Sequence, residues 1–444
     1  MKRKSISGSR NRILSAEIHQ LPLRMCILGG GGYLGQHLTK ALQNAGHFVV
    51  VLDLHFQRFP HIVLDTTRML QIRGSILDLD ALRKALSGCD ACFHMAGYGM
   101  SGGASLDYEM CMRVNFGGTQ LIISECLRLN VPRLIYTSTI GVIFAQEELH
   151  MADETTPYAK HFVNAYCESK YLGEVALLQA NSPGKLATCA LRLRGIYGPG
   201  ELRTVKTTVD LSRSGWVKAT FRKSKLCLTQ YSRVDNCVQA LLLSEESLRQ
   251  RNSPTAGQAY HIVDDLPAVD PFGFWYPLIE AAGVSVPKFC IPYWLAYFAA
   301  YTMEWLYWLT GMEPLFTRFE ANLMAYHNTY SVEKAKRDFG YRPAQNHDLT
   351  STIKFLQHEQ KHAEVSKGNN LEQIWKLVIK FLHLLDPSWL AQYLHRSVGI
   401  GDCCGPQQVF HKFLMVLSVL ILSSMVWPSM VSMLCCSLTY IVSY

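Results

Sequence analysis

A tyrosine and a lysine four residues apart form the pair in this sequence whose chemistry is the most specific. Tyr166 and Lys170 would share one face of a helix over residues 165–180, and the apolar residues that follow them support a helix there. A tyrosine normally has a pKa of about 10, and a fixed ammonium nearby favours its phenolate. A phenolate can take a proton from an alcohol. Such pairs also occur by chance on exposed helices, so the interpretation needs further groups.

Three hydroxyl groups at the end of a predicted strand are candidates for holding a substrate oxygen. The segment 131–139 has the apolar residues of a buried strand and ends in Thr137, Ser138 and Thr139. Side chains at the carboxyl ends of parallel strands lie at the edge of the sheet where ligands bind. The strand therefore supplies a third group for the tyrosine and the lysine.

A glycine-rich turn near the N-terminus predicts a dinucleotide site. The apolar run 25–28 is followed by Gly29, Gly32 and Gly35 and then by residues with helical spacing. The first glycine permits a tight turn, the second lets the backbone approach a pyrophosphate, and the third lets the helix pack close to the sheet. Free N–H groups at the start of the helix would bind the phosphates. The alternative is an ordinary glycine-rich surface turn.

An aspartate at the end of the second predicted strand indicates which dinucleotide binds. The strand 47–52 leads into Asp53, 18 residues after Gly35, which is close to the spacing of the acid that binds the ribose hydroxyls. A carboxylate there repels a 2′-phosphate, so NAD is favoured over NADP. Arg58 follows closely and is the residue that could favour NADP instead.

Eight sequence motifs, two of which are described above, together resemble a known enzyme family. They are, in chain order, Phe93–Gly97, Asn115–Thr119, Tyr136–Thr139, Asp153–Tyr158, Tyr166–Lys170, Leu191–Arg192 with Ile196–Gly200, Val234–Asn236 and Gly257–Asp265. With the glycine turn, they make residues 24–355 resemble an extended short-chain dehydrogenase/reductase of the 3β-hydroxysteroid dehydrogenase branch, in particular its family 42E members. The resemblance implies oxidation of an alcohol by NAD. It also implies an α/β fold with a doubly wound parallel sheet of the Rossmann type and a smaller substrate lobe.

The resemblance assigns roles to single residues. Tyr166, Lys170 and Thr139 would be catalytic, with Ser138 as the alternative to Thr139. The cofactor would be contacted by Gly29, Gly32, Tyr33, Leu34, Gly35, Asp53, Ser75, Ala96 and Lys170. Three residues depart from the family pattern, namely Leu28, Ser75 and Leu193. The first two could weaken cofactor binding and the third could alter the nicotinamide pocket. No metal ligands are expected.

The predicted organisation has four parts. Residues 1–23 are a basic arm, and residues 24–360 are the NAD-binding domain with strands near 25–28, 48–52, 71–74, 91–94, 133–137 and 187–192. The substrate lobe is expected mainly from 193–232 and 255–330. Residues 361–410 are expected to contain linkers and an amphipathic helix at 371–385, and residues 411–444 a C-terminal membrane anchor.

Two apolar segments predict contact with a membrane. The chain is 49% hydrophobic with a mean hydropathy of +0.06, and residues 413–444 carry no charge. Residues 413–435 are long and apolar enough for a transmembrane helix. The segment 289–310 is rich in tryptophan and tyrosine and predicts a pair of helices lying on the membrane, or else a lid over an apolar substrate. The catalytic domain is expected on the cytosolic face of the endoplasmic reticulum, with the 14 cysteines as reduced thiols.

The sequence leaves three functions open. The first is oxidation of a 3β-hydroxyl of a steroid or sterol to the 3-ketone, with Asp264 and Asp265 as carboxylates for a coupled Δ5–Δ4 isomerisation. The second is the same fold acting on a sterol 4-carboxylate or on a nucleotide sugar. The cations available for a nucleotide diphosphate are Arg203, Lys206, Arg213 and Lys218. The third is an NAD-binding membrane protein of low activity. The expected partners are the substrate, the lipid bilayer and a second copy in a homodimer; the net charge of +8 comes with no nucleic-acid motif, so no nucleic acid is expected.

Overall fold

The computed structural model describes residues 22–215, 219–224, 227–344 and 346–361. The described residues up to His358 belong to one compact unit. Most of the predicted basic arm, the amphipathic helix at 371–385 and the C-terminal membrane anchor lie outside the described residues. Within the described ranges, every helix is too short or too polar to cross a membrane.

A seven-stranded parallel sheet forms the centre of this unit. The strands of the described residues, in chain order, are β1 (Arg24–Leu28), β2 (Phe48–Asp53), β3 (Met69–Arg73), β4 (Ala91–His94), β5 (Arg133–Thr139), β6 (Leu149–Ala152), β7 (Ala187–Leu193), β8 (Ile196–Tyr197), β9 (Ala219–Arg222), β10 (Ser232–Arg233), β11 (Gln258–Ile262), β12 (Phe289–Pro292) and β13 (Asn328–Tyr330). The order across the sheet is β3-β2-β1-β4-β5-β7-β11, and every pair is parallel. This order confirms the predicted Rossmann-type fold.

Helices cover both faces of the sheet. In chain order they are α1 (Tyr33–Asn44), α2 (Leu79–Leu86), α3 (Tyr108–Cys111), α4 (Gly118–Arg128), α5 (Ala165–Gln179), α6 (Thr204–Arg213), α7 (Val234–Leu248), α8 (Tyr276–Ala281), α9 (Tyr293–Thr310), α10 (Arg318–Ala325), α11 (Glu333–Phe339) and α12 (350–361). Alternate residues of β1 point to opposite faces, because Met25 and Ile27 pack with α1 and α7 whereas Cys26 and Leu28 pack with α2 and α4. Both faces of each central strand are therefore apolar, as in doubly wound sheets.

The seventh strand was not expected from the sequence. The six predicted strands are present, but β11 also belongs to the sheet, although residues 255–330 were expected in the substrate lobe. In the sequence Gln-Ala-Tyr-His-Ile, a glutamine and a histidine interrupt the apolar residues, so the strand lacks the continuous apolar run of the inner strands. His261 is nevertheless fully buried, because its ring is hydrogen-bonded on both sides.

The aromatic segment 289–310 forms one helix rather than the predicted pair. Residues Phe289–Pro292 form β12, which pairs with β9, and the 18-residue helix α9 follows directly. Pro292 fixes the turn between the two elements, since proline favours the position just before or at the first turn of a helix. The helix ends at Gly311, whose φ of 73° lies in the left-handed region common at helix C-termini.

Candidate active site

The glycine turn joins β1 to α1 and leaves one side open. Gly29 has a φ of 83°, and a Cβ there would lie 2.5 Å from the backbone nitrogen of Ala96. A Cβ on Gly35 would overlap the backbone of Gly30, so the helix could not pack as closely against the turn. A Cβ on Gly32 would meet no protein atom closer than 3.9 Å. The fold therefore requires Gly29 and Gly35, whereas the space beside Gly32 is available to a ligand.

Asp53 lies at the carboxyl end of β2 beside this turn. Its Oδ2 accepts a hydrogen bond of 2.8 Å from the Gly31 backbone N–H, and its Oδ1 accepts one of 3.1 Å from that of His55. A carboxylate has about four acceptor positions, so two remain for ribose hydroxyls. Ser75 follows β3, and its Oγ accepts a 3.1 Å bond from the Leu77 N–H, which leaves the hydroxyl proton for donation.

The other predicted cofactor residues surround the same turn. Tyr33 begins α1, and its hydroxyl donates to the Pro199 carbonyl oxygen over 3.1 Å. Leu34 packs partly against the core, and the Ala96 N–H donates to the Leu28 carbonyl oxygen over 2.8 Å. Leu28 itself is fully buried, so this departure from the family pattern lies in the core. An open glycine, a free helix N-terminus and a carboxylate with spare acceptors fit a dinucleotide such as NAD.

The predicted helix with the tyrosine and the lysine is present as α5. Tyr166 is its second residue and Lys170 lies one turn later, with only 8% and 3% of their surfaces exposed. Burial raises the pKa of the Tyr166 phenol, the Cys167 thiol adds to this, and the positive charge of Arg203 opposes it. The phenol is therefore protonated in this structure.

Lys170 faces the end of β5. Its Nζ donates to the Thr137 carbonyl oxygen over 2.7 Å and lies 4.0 Å from the centre of the Tyr136 ring. Burial lowers the pKa of Lys170 to about 7, and the carboxylate of Glu174 opposes this change. The ammonium of Lys170 is hydrogen-bonded to β5 in this structure. Its expected stabilisation of the Tyr166 phenolate therefore stays a prediction.

The structure distinguishes the two candidate hydroxyls on β5. The Ser138 hydroxyl is buried and donates to Glu174. Thr139 is partly exposed, and its Oγ1 accepts a 3.2 Å bond from the Gly141 N–H, so its proton remains for a ligand. A Cβ built on Gly141 would lie 3.4 Å from that Oγ1 and 2.7 Å from Cys167 Sγ. Thr139 therefore lies next to the first turn of α5, and it is the better candidate to hold a substrate oxygen.

Tyr166 lies in a buried cluster of aromatic side chains. Tyr166 belongs to a buried cluster with Phe144, Phe319 and Tyr326, and Tyr293 packs against this cluster. The ring centres of Tyr293 and Tyr326 are 5.9 Å apart. Since Tyr293 is the first residue of α9, the apolar surroundings of the phenol continue directly into that helix.

The two aspartates considered for isomerisation make other contacts. The buried Asp264 accepts four hydrogen bonds, from Tyr197 Oη at 2.7 Å, Asn236 Nδ2 at 2.7 Å, Arg233 N at 3.0 Å and His347 N at 2.9 Å. Asp265 forms a 2.5 Å ion pair with Lys336. None of these partners is Tyr166, Lys170 or Thr139, so Asp264 stabilises the junction of β8, β10 and α7.

The cations considered for a nucleotide diphosphate lie on or beside α6. Arg203, Lys206 and Arg213 are exposed, and Lys206 is paired with Asp210. Lys218 lies outside the described residues. The described cations of this set are therefore exposed side chains, and one of them is already paired with a carboxylate.

Sequence reasoning missed several residues that position α5. Asn115 lies in a π-helical turn, Met112–Gly117, and its side chain bonds the backbone of Tyr98 at 2.8 Å and Ser169 Oγ at 2.9 Å. Asn115 and Arg192 both lie in motifs that resemble those of the enzyme family. The spacing of these motifs along the chain indicated no role for either residue. Glu174 carried no sequence signal except its position one turn after Lys170.

Comparison with known proteins agrees with the motifs. Residues 26–293 match the 3-beta hydroxysteroid dehydrogenase/isomerase family. Short-chain dehydrogenase/reductase family 42E member 1 of Danio rerio is 35% identical over 354 residues, which cover 77% of this chain and 90% of that protein. The decarboxylating sterol-4-alpha-carboxylate 3-dehydrogenase of Mus musculus is 33% identical over 345 residues, which cover 76% of this chain and 91% of that protein.

A solved structure has the same fold with a dinucleotide bound. MoeE5 in complex with UDP-glucuronic acid and NAD superposes with a TM-score of 0.56 and 20% identity, covering 76% of this chain and 99% of that one. The prediction of NAD as the cofactor agrees with this complex, and the predicted relationship to the 42E proteins is confirmed. This chain belongs to the 3-beta hydroxysteroid dehydrogenase/isomerase family of short-chain dehydrogenases/reductases.

Proposed function

We propose that this protein oxidises a 3β-hydroxyl group of a steroid or sterol to the 3-ketone with NAD as the oxidant. The observation that carries this proposal is the arrangement at the carboxyl edge of the sheet. Thr139 and Cys167, the residue that follows Tyr166, lie beside the same glycine, Gly141. Lys170 is bonded to the strand that carries Thr139, and the glycine turn opens at the same edge of the sheet. The aromatic cluster around Tyr166 suits a rigid apolar substrate.

In the proposed reaction, each residue has one task. The Thr139 hydroxyl donates to the substrate oxygen and holds the alcohol. The Tyr166 phenol first loses its own proton to solvent, and its Oη then takes the proton of the substrate hydroxyl as that O–H bond breaks. Lys170 donates to the nicotinamide ribose and stabilises the phenolate of Tyr166. When bound, NAD supplies the acceptor for the hydride that leaves the alcohol carbon.

The reaction is proposed to end at the ketone. Moving a ring double bond requires a second acid or base beside the substrate. The full set of hydrogen bonds on Asp264 and the ion pair of Asp265 support a structural role for both carboxylates. A Δ5-3-ketosteroid supplied directly should therefore give no enzyme-dependent absorbance of the conjugated Δ4 product.

A sterol 4-carboxylate is the second candidate substrate. The observation that favours it is the 33% identity to a sterol-4-alpha-carboxylate 3-dehydrogenase over most of both chains. Both candidates use the same oxidation at carbon 3, so Tyr166, Lys170 and Thr139 keep their tasks. A nucleotide sugar is less suited to the aromatic cluster that contains Tyr166.

The function is tested with the purified full-length chain and NAD. Hydroxysteroids and 4-carboxysterols are supplied in mixed micelles, and NADH formation is followed by absorbance. NADH with at least one 3β-hydroxysteroid or sterol supports the proposal, and release of CO₂ with the carboxylate identifies the second candidate. NAD binding without turnover of any such substrate would favour the NAD-binding protein of low activity.

NAD should bind more tightly than NADP. Two hydrogen bonds from the Asp53 carboxylate to ribose hydroxyls contribute about 2–4 kcal/mol, since bonds to charged groups are stronger than neutral ones. Asp53→Ala should therefore weaken NAD binding at least tenfold while NADP binding changes little. Calorimetry on both proteins gives the two affinities. Tighter binding of NADP to the unmodified protein would contradict the assignment of Asp53.

The outer face of α9 is proposed to lie on a lipid bilayer. Trp294, Trp305 and Trp308 are 67%, 58% and 68% exposed, which is unusual for tryptophan in water. The acidic residue of this helix, Glu304, is instead buried and accepts a 2.7 Å bond from Arg318 Nε. A helix that exposes aromatic rings and buries its acidic residue suits the membrane interface, where tryptophan and tyrosine are enriched.

Fractionation should separate this contact from the predicted transmembrane helix near 413–435. The full-length chain should stay with membranes in alkaline carbonate, and a chain ending at Gly368 should bind membranes but be released by carbonate. Replacing Trp294, Trp305 and Trp308 by serine in the shorter chain should make it soluble. The matched control is Leu202→Ser, which removes a side chain that is 44% exposed elsewhere. A soluble full-length chain would contradict the membrane proposal.

A further inference from the structure

A buried carboxylate connects the two elements that carry the proposed active site. Glu174 lies on α5, one turn after Lys170, and its side chain has no exposed surface. It accepts bonds from Arg192 Nη2 at 2.6 Å and from Tyr158 Oη at 2.9 Å, and the Ser138 hydroxyl also donates to it. Both of its oxygens are therefore held.

The contact with Ser138 reaches the residue next to Thr139. Ser138 precedes Thr139 at the end of β5, and Thr137 accepts the bond from Lys170 Nζ. Glu174 and Lys170 thus bind two successive residues of β5 from one helix. These two contacts fix the position of α5 along β5. They therefore set the position of Thr139 relative to the first turn of α5.

The charges around Lys170 give Glu174 a second effect. Lys170 faces His94 from β4 and Tyr136 from β5, besides Glu174 from its own helix. Burial lowers the pKa of His94 well below its usual value, so this histidine is neutral, and the Tyr136 phenol is protonated because burial raises its pKa. Glu174 is then the negative charge that favours the ammonium of Lys170.

We propose that Glu174 is a positioning residue of this active site, with a role that rests on the function proposed for Lys170. Its carboxylate holds β5 against α5 through Ser138 and supplies a negative charge that increases the ammonium fraction of the buried Lys170. Arg192 forms an ion pair with the Glu174 carboxylate. This ion pair offsets the cost of burying the carboxylate, since an unpaired carboxylate at full burial would be strongly destabilising.

The test measures the titration of Lys170 in the full-length chain without cofactor. Lysine labelled with ¹³C at Cε reports the protonation of each side chain by NMR, and Lys170→Met identifies the signal. In Glu174→Gln, no carboxylate opposes the effect of burial, which disfavours the ammonium of Lys170. The midpoint of the Lys170 titration should therefore move to lower pH by about one unit or more. Tyr158→Phe is the matched control, because it removes one bond to Glu174 and leaves every charge in place.

A second variant covers the case in which Glu174→Gln does not fold. The double variant Glu174→Gln with Arg192→Gln removes both charges and leaves no unpaired ion. Its Lys170 midpoint should also fall, and NADH affinity at pH 8 should fall with it, since less ammonium remains to bind the ribose. A Lys170 midpoint unchanged in either folded variant would overturn the proposal. The NMR titration needs no substrate, so failure to oxidise a steroid would contradict the proposed function alone.

Discussion

Tyr166→Phe is expected to lower kcat for the proposed oxidation about 100-fold or more, because it removes the group that accepts the proton. The phenyl ring keeps the apolar part of Tyr166 in the buried cluster that also contains Phe144, Phe319 and Tyr326, so this cluster should stay intact. KM should change little, since the ring itself remains. The rate is measured as NADH formation at saturating substrate.

The matched control for this variant is Tyr171→Phe on the same helix. Tyr171 packs against Phe162 and Tyr158, outside the proposed reacting groups. Loss of the Tyr171 hydroxyl should leave kcat near that of the unmodified protein. NADH binding should persist in both variants, because the glycine turn is unaffected. A normal rate in Tyr166→Phe with intact NADH binding would show that another group carries the proton.

Gly29→Ala and Gly35→Ala are expected to destabilise the fold. A Cβ at Gly29 would lie 2.5 Å from Ala96 N in a backbone with a φ of 83°, and a Cβ at Gly35 would overlap Gly30. Overpacking of this kind costs about 1–3 kcal/mol, and more where the backbone conformation is also unfavourable. Denaturant unfolding should show the loss of free energy, and NADH binding should be lost with it.

Gly32→Ala separates binding from folding in the same turn. A Cβ there meets no protein atom within 3.9 Å, so the free energy of unfolding should stay within about 0.5 kcal/mol of that of the unmodified protein. The added methyl would occupy the space proposed for the pyrophosphate, and NADH affinity should fall about tenfold or more. Normal NADH affinity in a stable Gly32→Ala protein would place the phosphates elsewhere.

Local patterns in the sequence predicted the cofactor half of the site. The strand, glycine turn, helix and following strand with Asp53 lie within about 30 residues, and their geometry depends on neighbours along the chain. Tyr166 and Lys170 were predictable for the same reason, since one helix fixes their spacing. The five inner strands were recognised because a strand buried on both faces is a continuous apolar run.

Contacts between distant segments could not be predicted in this way. The bonds that join Ser138, Glu174 and Arg192 depend on the order of β5, α5 and β7 in space. Asp264 matched a motif position proposed for catalysis, but its hydrogen bonds from Tyr197 and three other groups stabilise the fold. The glutamine and the histidine in β11 interrupt its apolar residues, and His261 finds its hydrogen-bond partners only after folding, so the sequence did not predict this strand.

The exposed aromatic rings of α9 affect how the substrate concentration of this protein should be defined. Tyr293 belongs to that helix and packs against the cluster that contains Tyr166, so the proposed membrane contact and the proposed active site share a residue. With α9 on a bilayer, enzyme and sterol meet in two dimensions, and extra lipid dilutes the sterol even when its amount per volume is constant. The Michaelis constant of such an enzyme is a mole fraction in the membrane rather than a molarity.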